Sequence, residues 1–510
     1  MEEKVSVKIA RESIWQAIYT FISKFGALIF VILLARFLKP EGFGIYNLAM
    51  VITLVFITFT ELGINQTTLR YVSDALGKKQ KSKAVGYLRY LLKIKTILTI
   101  IFSLLLIILS YPLAFFIFKK PEIFPLLLAL SVYLIILSYE TFFERLFYAI
   151  NQIKYLLFKE ITLQVLKISV ASLVFFIIIE KFRTIWIILG LILVNFIALL
   201  ILLFLLRKLA PFLLKKSSIG IDKKRVLNFL KYLSIAGIFS VLFGYIDTLM
   251  LGIFVTPDYI GYYSSALSLV TSLGVIFSVA WVILPVFTQL KESQMKDSFD
   301  KVFRYICLLS IPLTFGALIF GRYFIRLFFG YDYLLATIPF MFLTGHIFYV
   351  ILGGVIISLF SSKEKPKYVT KMILIASLMN IILNLVLISV LVKISFTWAI
   401  SGAAIATVIS VYFYLFALMI RAKKDFGIRF KFSYFIKPLF SSLVMFVVLF
   451  LINKVFITDM NLIIGIFEIL LGVIIYFAIM ALIRGVGKQD ILMIKETFDF
   501  NNNKKFIVKS

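Results

Sequence analysis

Apolar residues run in long blocks along this chain, separated by short polar connectors. The blocks fall roughly at 14–37, 43–69, 88–117, 123–150, 156–179, 185–206, 229–255, 260–289, 303–328, 335–360, 370–392, 397–420, 435–457 and 461–483. Most exceed the ~18 residues that carry a helix across a bilayer core at about 1.5 Å per residue. The pattern predicts about fourteen transmembrane helices, several long enough to tilt or to extend beyond the hydrocarbon.

Composition removes the soluble alternative. The 510 residues are 62% hydrophobic and 15% charged, and no soluble fold of this size has interior enough for that apolar surface. The net charge of +29 would suit a nucleic-acid partner if it lay on a soluble domain. It lies instead in short loops, which excludes that class. With the N-terminus inside, about 42 of the 54 Lys/Arg fall on inside segments and about 10 on outside connectors. That bias predicts a multi-pass protein of the cell membrane with both termini cytoplasmic. The basic stretches Lys78 to Lys83, Lys215-Lys216 and Lys223 to Arg225 are then inside, where they can also touch anionic lipid heads. Cys307 is the sole cysteine and has no intrachain partner. The acidic, polar start Met1-Glu2-Glu3-Lys4 leads into a long apolar run and predicts no cleavable signal peptide.

The longest inside connector, with Pro211 and Gly220, divides the chain. A repeat supports the division: Phe37, Pro40, Gly44, Tyr46 and Ala49 recur at Phe254, Pro257, Gly261, Tyr263 and Ala266, an offset of 217 residues, with Glu41 matched by Asp258. Both copies join a first and a second span on the outside, so the repeat is parallel, the arrangement of several transporter folds with cargo between the halves. The expected architecture is all-α and polytopic, two parallel-repeated six-helix bundles plus a helix pair. Its parts are an N-terminal bundle (1–210), a linker (211–228), a C-terminal bundle (229–425), helices 13 and 14 (426–485) and a cytoplasmic tail (486–510).

The same residues carry a family resemblance. Leu34 to Ala49 (LARFLKPEGFGIYNLA), Glu61 to Ile64 and Arg70 to Val72 resemble the N-terminal signature of polysaccharide transporters. Tyr245 to Gly252 and Gly261 to Tyr263 resemble the opening of that family's second half. The family belongs to the multidrug/oligosaccharidyl-lipid/polysaccharide exporter superfamily and includes O-antigen flippases. The resemblance implies alternating access around a polar central cavity and transfer of a polyprenyl-phosphate- or polyprenyl-pyrophosphate-linked glycan to the outer leaflet. It also implies a lipid-tail groove on spans 13 and 14.

Candidate chemistry follows from polar residues inside apolar spans, which are costly there and tend to face a bundle interior. Lys24 lies near the middle of span one, on a stripe with Ser13, Gln16, Thr20, Ser23 and Ala27. Span seven repeats such a stripe with Gly237, Ser240, Gly244, Asp247 and Thr248, and span eight carries Ser264, Ser268, Ser272 and Ser278. Close helix packing suits the small residues equally well. Glu140 and Glu144 share a face of span four beside Arg145; Gln164 and Lys167 mark span five, and Ser377, Asn380 and Asn384 span eleven. The cavity set expected to hold cargo is Lys24, Arg145, Lys167, Ser23, Gln16, Asn380 and Asn384, cations facing phosphate and amides facing glycan hydroxyls. The candidates for coupling H+ or Na+ are Asp247, Glu140, Glu144, His346 and Glu61, His346 because imidazole titrates near neutrality. Interfacial ion pairing at Glu61 and on span four, snorkelling at Lys24 and Lys167 and simple packing of His346 stay open. Glu468 on span fourteen has no assigned role; Pro285, Pro312 and Pro339 are expected to kink helices.

A cation antiporter on this scaffold would carry mainly acidic cavity residues, whereas Lys24 and Arg145 keep the sign mixed. A polyprenyl-sugar enzyme would need a catalytic loop, and the chain holds no Walker loop, His-Glu-x-x-His or Gly-x-Ser-x-Gly. The sequence therefore predicts a non-enzymatic transporter that needs no cofactor and works among membrane lipids.

Overall fold

The structure, a computed structural model, describes residues 2–214, 221–278, 287, 292–363, 365–456 and 461–486. Lys215, Lys216, Pro285 and the expected tail from 487 onward lie outside the described residues. All elements among the described residues are helical. The main ones are α1 (Glu2–Glu61), α2 (Ile64–Gly77), α3 (Lys81–Pro112), α4 (Ile123–Ala149), α5 (Ile153–Ile177), α6 (Arg183–Leu209), α7 (Lys223–Phe254) and α8 (Pro257–Ile276). They continue as α9 (Glu292–Ile319), α10 (Gly321–Phe329), α11 (Thr337–Leu343), α12 (Gly345–Ser362), α13 (Pro366–Leu391), α14 (Phe396–Phe426), α15 (Ser433–Phe456) and α16 (Leu462–Leu482).

Thirteen helical stretches among the described residues are long and apolar enough to cross a bilayer. The first, Trp15–Gly77, has 63 residues, a length of roughly 95 Å at the helical rise, about three times a bilayer core. It supplies two crossings that meet at Lys39, whose backbone (φ 57, ψ 175) is not helical, just before Pro40. Proline disfavours the α conformation at the residue before it, which places the break. With that break counted, the fourteen crossings of the apolar pattern are recovered. The chain breaks again at Leu62 (φ 35) and Gly63 (φ 74), where α1 gives way to α2. Outward faces are apolar, as at Phe176 (81% exposed) and Ile463 (78% exposed), the surface a helix presents to lipid.

A single buried core runs through the seam, joining Leu34, Phe43 and Leu130 to Tyr263, Leu269 and Tyr333. The end of the molecule carrying Pro40 is termed the Pro40 face, and the opposite end the Lys78 face. At the Pro40 face the two copies of the repeat pack on one another. A Cβ on Gly44 would stand 1.7 Å from the Pro257 carbonyl oxygen, and one on Gly261 would stand 2.1 Å from that of Pro40. Around this contact Arg36 donates to the carbonyls of Leu327 (2.5 Å) and Phe328 (2.8 Å). The Tyr333 hydroxyl donates to Ala35 O at 2.8 Å, and Lys120 Nζ to Gly252 O at 2.5 Å. At the Lys78 face, Ser234 Oγ donates to Leu62 O at 2.8 Å and the Arg70 guanidinium lies over the Phe229 ring at 4.5 Å. A smaller core of Phe320, Met445, Leu449, Tyr476 and Met480 attaches α15 and α16 to the rest. With the Asn453 amide oriented to donate, its nitrogen stands 2.6 Å from Glu468 Oε1, so Glu468 ties the last two helices together.

Candidate functional site

Three polar constellations sit within the apolar bundle. The first surrounds Lys24. This side chain is exposed and lines a cavity of about 270 Å³ with Ala17, Thr20 and Phe21 of α1 and Val275, Ile276 and Ser278 at the end of α8. The cavity thus lies between helices of the two repeats. Ser23 beside it is half-buried, and Gln16 donates to Thr20 Oγ1 at 3.2 Å. The side chain of Ser13 falls outside the described residues.

The second lies in the first repeat. Lys159, 2% exposed, sends its ammonium to Glu140 Oε1 (3.2 Å), Glu144 Oε2 (3.1 Å) and Glu160 Oε2 (3.2 Å). Tyr19 of α1 donates to Glu144 Oε1 at 3.2 Å, and Gln164 donates to Glu160 Oε1 at 2.8 Å and to Ser23 O at 3.5 Å. Gly26 makes this approach of α1 and α5 possible, since a Cβ there would lie 2.7 Å from Gln164 Cγ. Lys167 acts electrostatically on Glu140 and Glu160. Three carboxylates therefore share two ammonium groups. Arg145 lies half-buried over the Tyr148 ring at 5.5 Å, its Nε without a hydrogen-bond partner among the described residues. Glu61 accepts from Asn65 (2.8 Å) and Thr141 (3.2 Å). Nearby Lys95, wholly buried, donates to Thr60 Oγ1 at 3.3 Å.

The third lies in the second repeat. Asp247, 3% exposed, accepts from the Tyr263 hydroxyl at 2.7 Å, the Asn384 amide at 2.7 Å and the Thr407 hydroxyl. Asn380 and Asn384 each keep a side-chain oxygen with no donor among the described residues. Asp247 is thus held inside the second bundle by α8, α13 and α14, not on the cavity that Lys24 lines. Its partners Asn380 and Asn384, expected among the cargo contacts, belong to its site. His346 joins none of these groups; its ring lies 5.2 Å from that of Tyr349, and its Nδ1 has no partner among the described residues.

Lys159, Glu160, Tyr19, Lys95, Tyr263 and Thr407 escape a reading by apolar blocks. A signal for Lys159 was present: α4 and α5 meet in a tight turn at Ile150 to Gln152. Counted from Asn151, Glu144 is seven residues back and Lys159 eight forward, which brings them to one depth.

The family model for polysaccharide biosynthesis proteins matches residues 9–291. The chain belongs to that family. Over 204 residues this family member is 27% identical to the probable low-salt glycan biosynthesis flippase Agl15 of Haloferax volcanii. That match takes in 39% of the chain and 41% of the relative's length. Its fold is shared with the lipid II flippase MurJ in an inward closed conformation (TM-score 0.75, 16% identity, 92% of this chain and 98% of that one). It is shared also with an inward-facing multidrug resistance MATE family transporter of the MOP superfamily (TM-score 0.62, 13% identity, 79% and 96%).

Proposed function

We propose that this polysaccharide biosynthesis protein is a flippase for a lipid-linked glycan, working by alternating access between its two repeats. The observation that carries the reading is Lys24, an exposed cation deep in an apolar span that opens on a cavity bounded by both repeats. A phosphate or pyrophosphate crossing hydrocarbon needs a cation to replace its hydration, and lysine supplies one as a point charge. Hydroxyls and amides along the same stripe (Gln16, Thr20, Ser23) suit a glycan. The polyprenyl nature of the lipid, the cell-membrane location and cytoplasmic termini belong to the same reading; the charge bias supports the last. No bond is made or broken in this cycle, so the protein acts as a transporter rather than an enzyme.

A cation drives the cycle in this reading, and Asp247 receives it. A buried carboxylate facing only neutral donors lacks its counter-charge. Asn380 and Asn384 add two side-chain oxygens that have no donor among the described residues. Proton binding to the carboxylate would satisfy the same deficit. The three carboxylates around Lys159 form a second candidate proton site.

The test is flipping of a fluorescent polyprenyl-pyrophosphate-linked oligosaccharide in proteoliposomes, under imposed sodium or proton gradients. Lys24→Ala is expected to lower the rate more than tenfold while Lys24→Arg retains most of it. Asp247→Asn is expected to abolish the response to whichever gradient drives the wild type. Wild-type rates in Lys24→Ala would remove the cavity cation from the mechanism.

A further inference from the structure

Lys24 is held on its cavity by contacts that a different face of α1 makes. Glu12 Oε2 accepts from Ile153 N, at the start of α5, at 3.2 Å. The Tyr19 hydroxyl donates to Glu144 Oε1 of α4 at 3.2 Å. The Ser23 carbonyl accepts from Gln164 Nε2 of α5 at 3.5 Å. At Gly26 the two helices are so close that a Cβ would lie 2.7 Å from Gln164 Cγ. Glu12, Tyr19, Ser23 and Gly26 follow one another at intervals of seven, four and three residues, the spacing of a single helical stripe. Ala17, Thr20, Phe21 and Lys24, which line the cavity, form another. At about 100° per residue the two stripes lie roughly 130° apart around the helix axis.

The docked stripe is what fixes the rotation of α1 about that axis. On the outward side Ile18, Phe21 and Phe25 are exposed, and apolar contact with lipid favours no particular angle. Hydrogen bonds are directional and do. Tyr19 makes the bond best suited to this. Its acceptor is a carboxylate, and bonds to ionised groups are roughly twice as strong as neutral ones. That carboxylate is itself immobilised, since Lys159 Nζ holds Glu144 Oε2 at 3.1 Å.

We propose that Tyr19 is the positioning residue of Lys24: its hydroxyl, anchored on Glu144, sets the rotation of α1 that turns the ammonium into the cavity. The cluster of carboxylates between α4 and α5 thereby aims a cation that it does not touch among the described contacts. The consequence for cargo rests on the flippase reading above; the aim of residue 24 does not.

Thiol labelling measures that aim without any transport. Lys24→Cys in a Cys307→Ala background is reconstituted as the full chain and reacted with methanethiosulfonate-ethylammonium, with and without Tyr19→Phe. The phenylalanine keeps the ring and loses only the hydroxyl. Labelling is expected to slow about fivefold as residue 24 turns out of the cavity. An unchanged rate overturns the proposal, and so does a faster one, the mark of a helix that has merely loosened. Ile18→Ala, on the exposed side, is expected to leave the rate as it is; an effect equal to that of Tyr19→Phe overturns the proposal as well.

A double-mutant cycle joins the aim to the cargo. With Lys24 present, Tyr19→Phe is expected to weaken binding of a fluorescent polyprenyl-pyrophosphate-linked oligosaccharide about tenfold; added to Lys24→Ala it is expected to weaken binding no further. Equal weakening in both backgrounds shows that Tyr19 acts without Lys24 and overturns the proposal. Wild-type binding by Lys24→Ala removes the cargo contact on which the flippase reading stands, and the labelling rate then decides the role of Tyr19 by itself.

Discussion

Lys159 shows how one side chain sets the electrostatics of a whole bundle. Its ammonium has three donors and spends one on each of Glu140, Glu144 and Glu160. Removing it leaves buried carboxylates uncompensated, a loss of about 3–5 kcal/mol for a broken buried pair. Lys159→Met is therefore expected to lower the melting temperature sharply in detergent. Adding Glu140→Gln and Glu144→Gln should recover most of that loss, because Glu160 is then left to balance Lys167. A triple variant as unstable as the single one would show that the cation does something other than neutralise. At this scale the sequence was partly legible. Glu140 and Glu144 stand out on an apolar span, and so do Asp247 and Lys24. Their partners do not, because Lys159 and Glu160 fall near the start of their apolar run, where charge is ordinary. Nor does hydropathy mark Tyr263 or Thr407 as ligands of a particular carboxylate; that depends on which helix packs on which.

Among the elements, the pairing of α1 with α8 positions everything else. The contact at Gly44 and Gly261 leaves no room for a side chain, since both hypothetical Cβ atoms fall on backbone of the opposite repeat. Gly44→Val and Gly261→Val should each cost about 1–3 kcal/mol through overpacking, read as a lower melting temperature, with the two variants behaving alike. Unaltered melting in either would mean that the helices slide past one another easily. The break at Leu62-Gly63 is the other fixed point, where a Cβ on Gly63 would collide with Leu233 at 2.4 Å and the backbone already has φ +74. Helix number and the break at Pro40 could be read in advance because block length and Pro40 determine them locally, whereas the apolar block 43–69 runs through the break at Leu62-Gly63 without a sign of it. The long first helix had to be counted as two crossings, and span ten proved to be two helices, α11 and α12, meeting at Thr344. A 26-residue apolar block does not reveal such an interruption.

For the whole molecule, the halves are closed on each other at the Pro40 face while a cavity persists between α1 and α8. Under the proposed alternating access, the Pro40-face contacts separate in each cycle. A cysteine pair at Arg36 and Leu327, joined by a short cleavable crosslinker, is expected to stop flipping in proteoliposomes, with recovery on cleavage. Transport at the full rate in the crosslinked protein would require a route that never opens this face. The all-helical, many-span architecture followed from the long apolar blocks. The closed state did not, since it depends on long-range contacts such as Arg36 with Leu327 and Tyr333 with Ala35 that leave no periodic trace.

The reciprocal glycine contact also bears on how such a chain can change over time. A duplicated segment is ordinarily free to drift in each copy. Here each copy is the other's docking surface, so a bulkier residue accepted in one is paid for by the backbone of its twin. That mutual veto is a physical reason for the residues shared around Pro40 and Pro257.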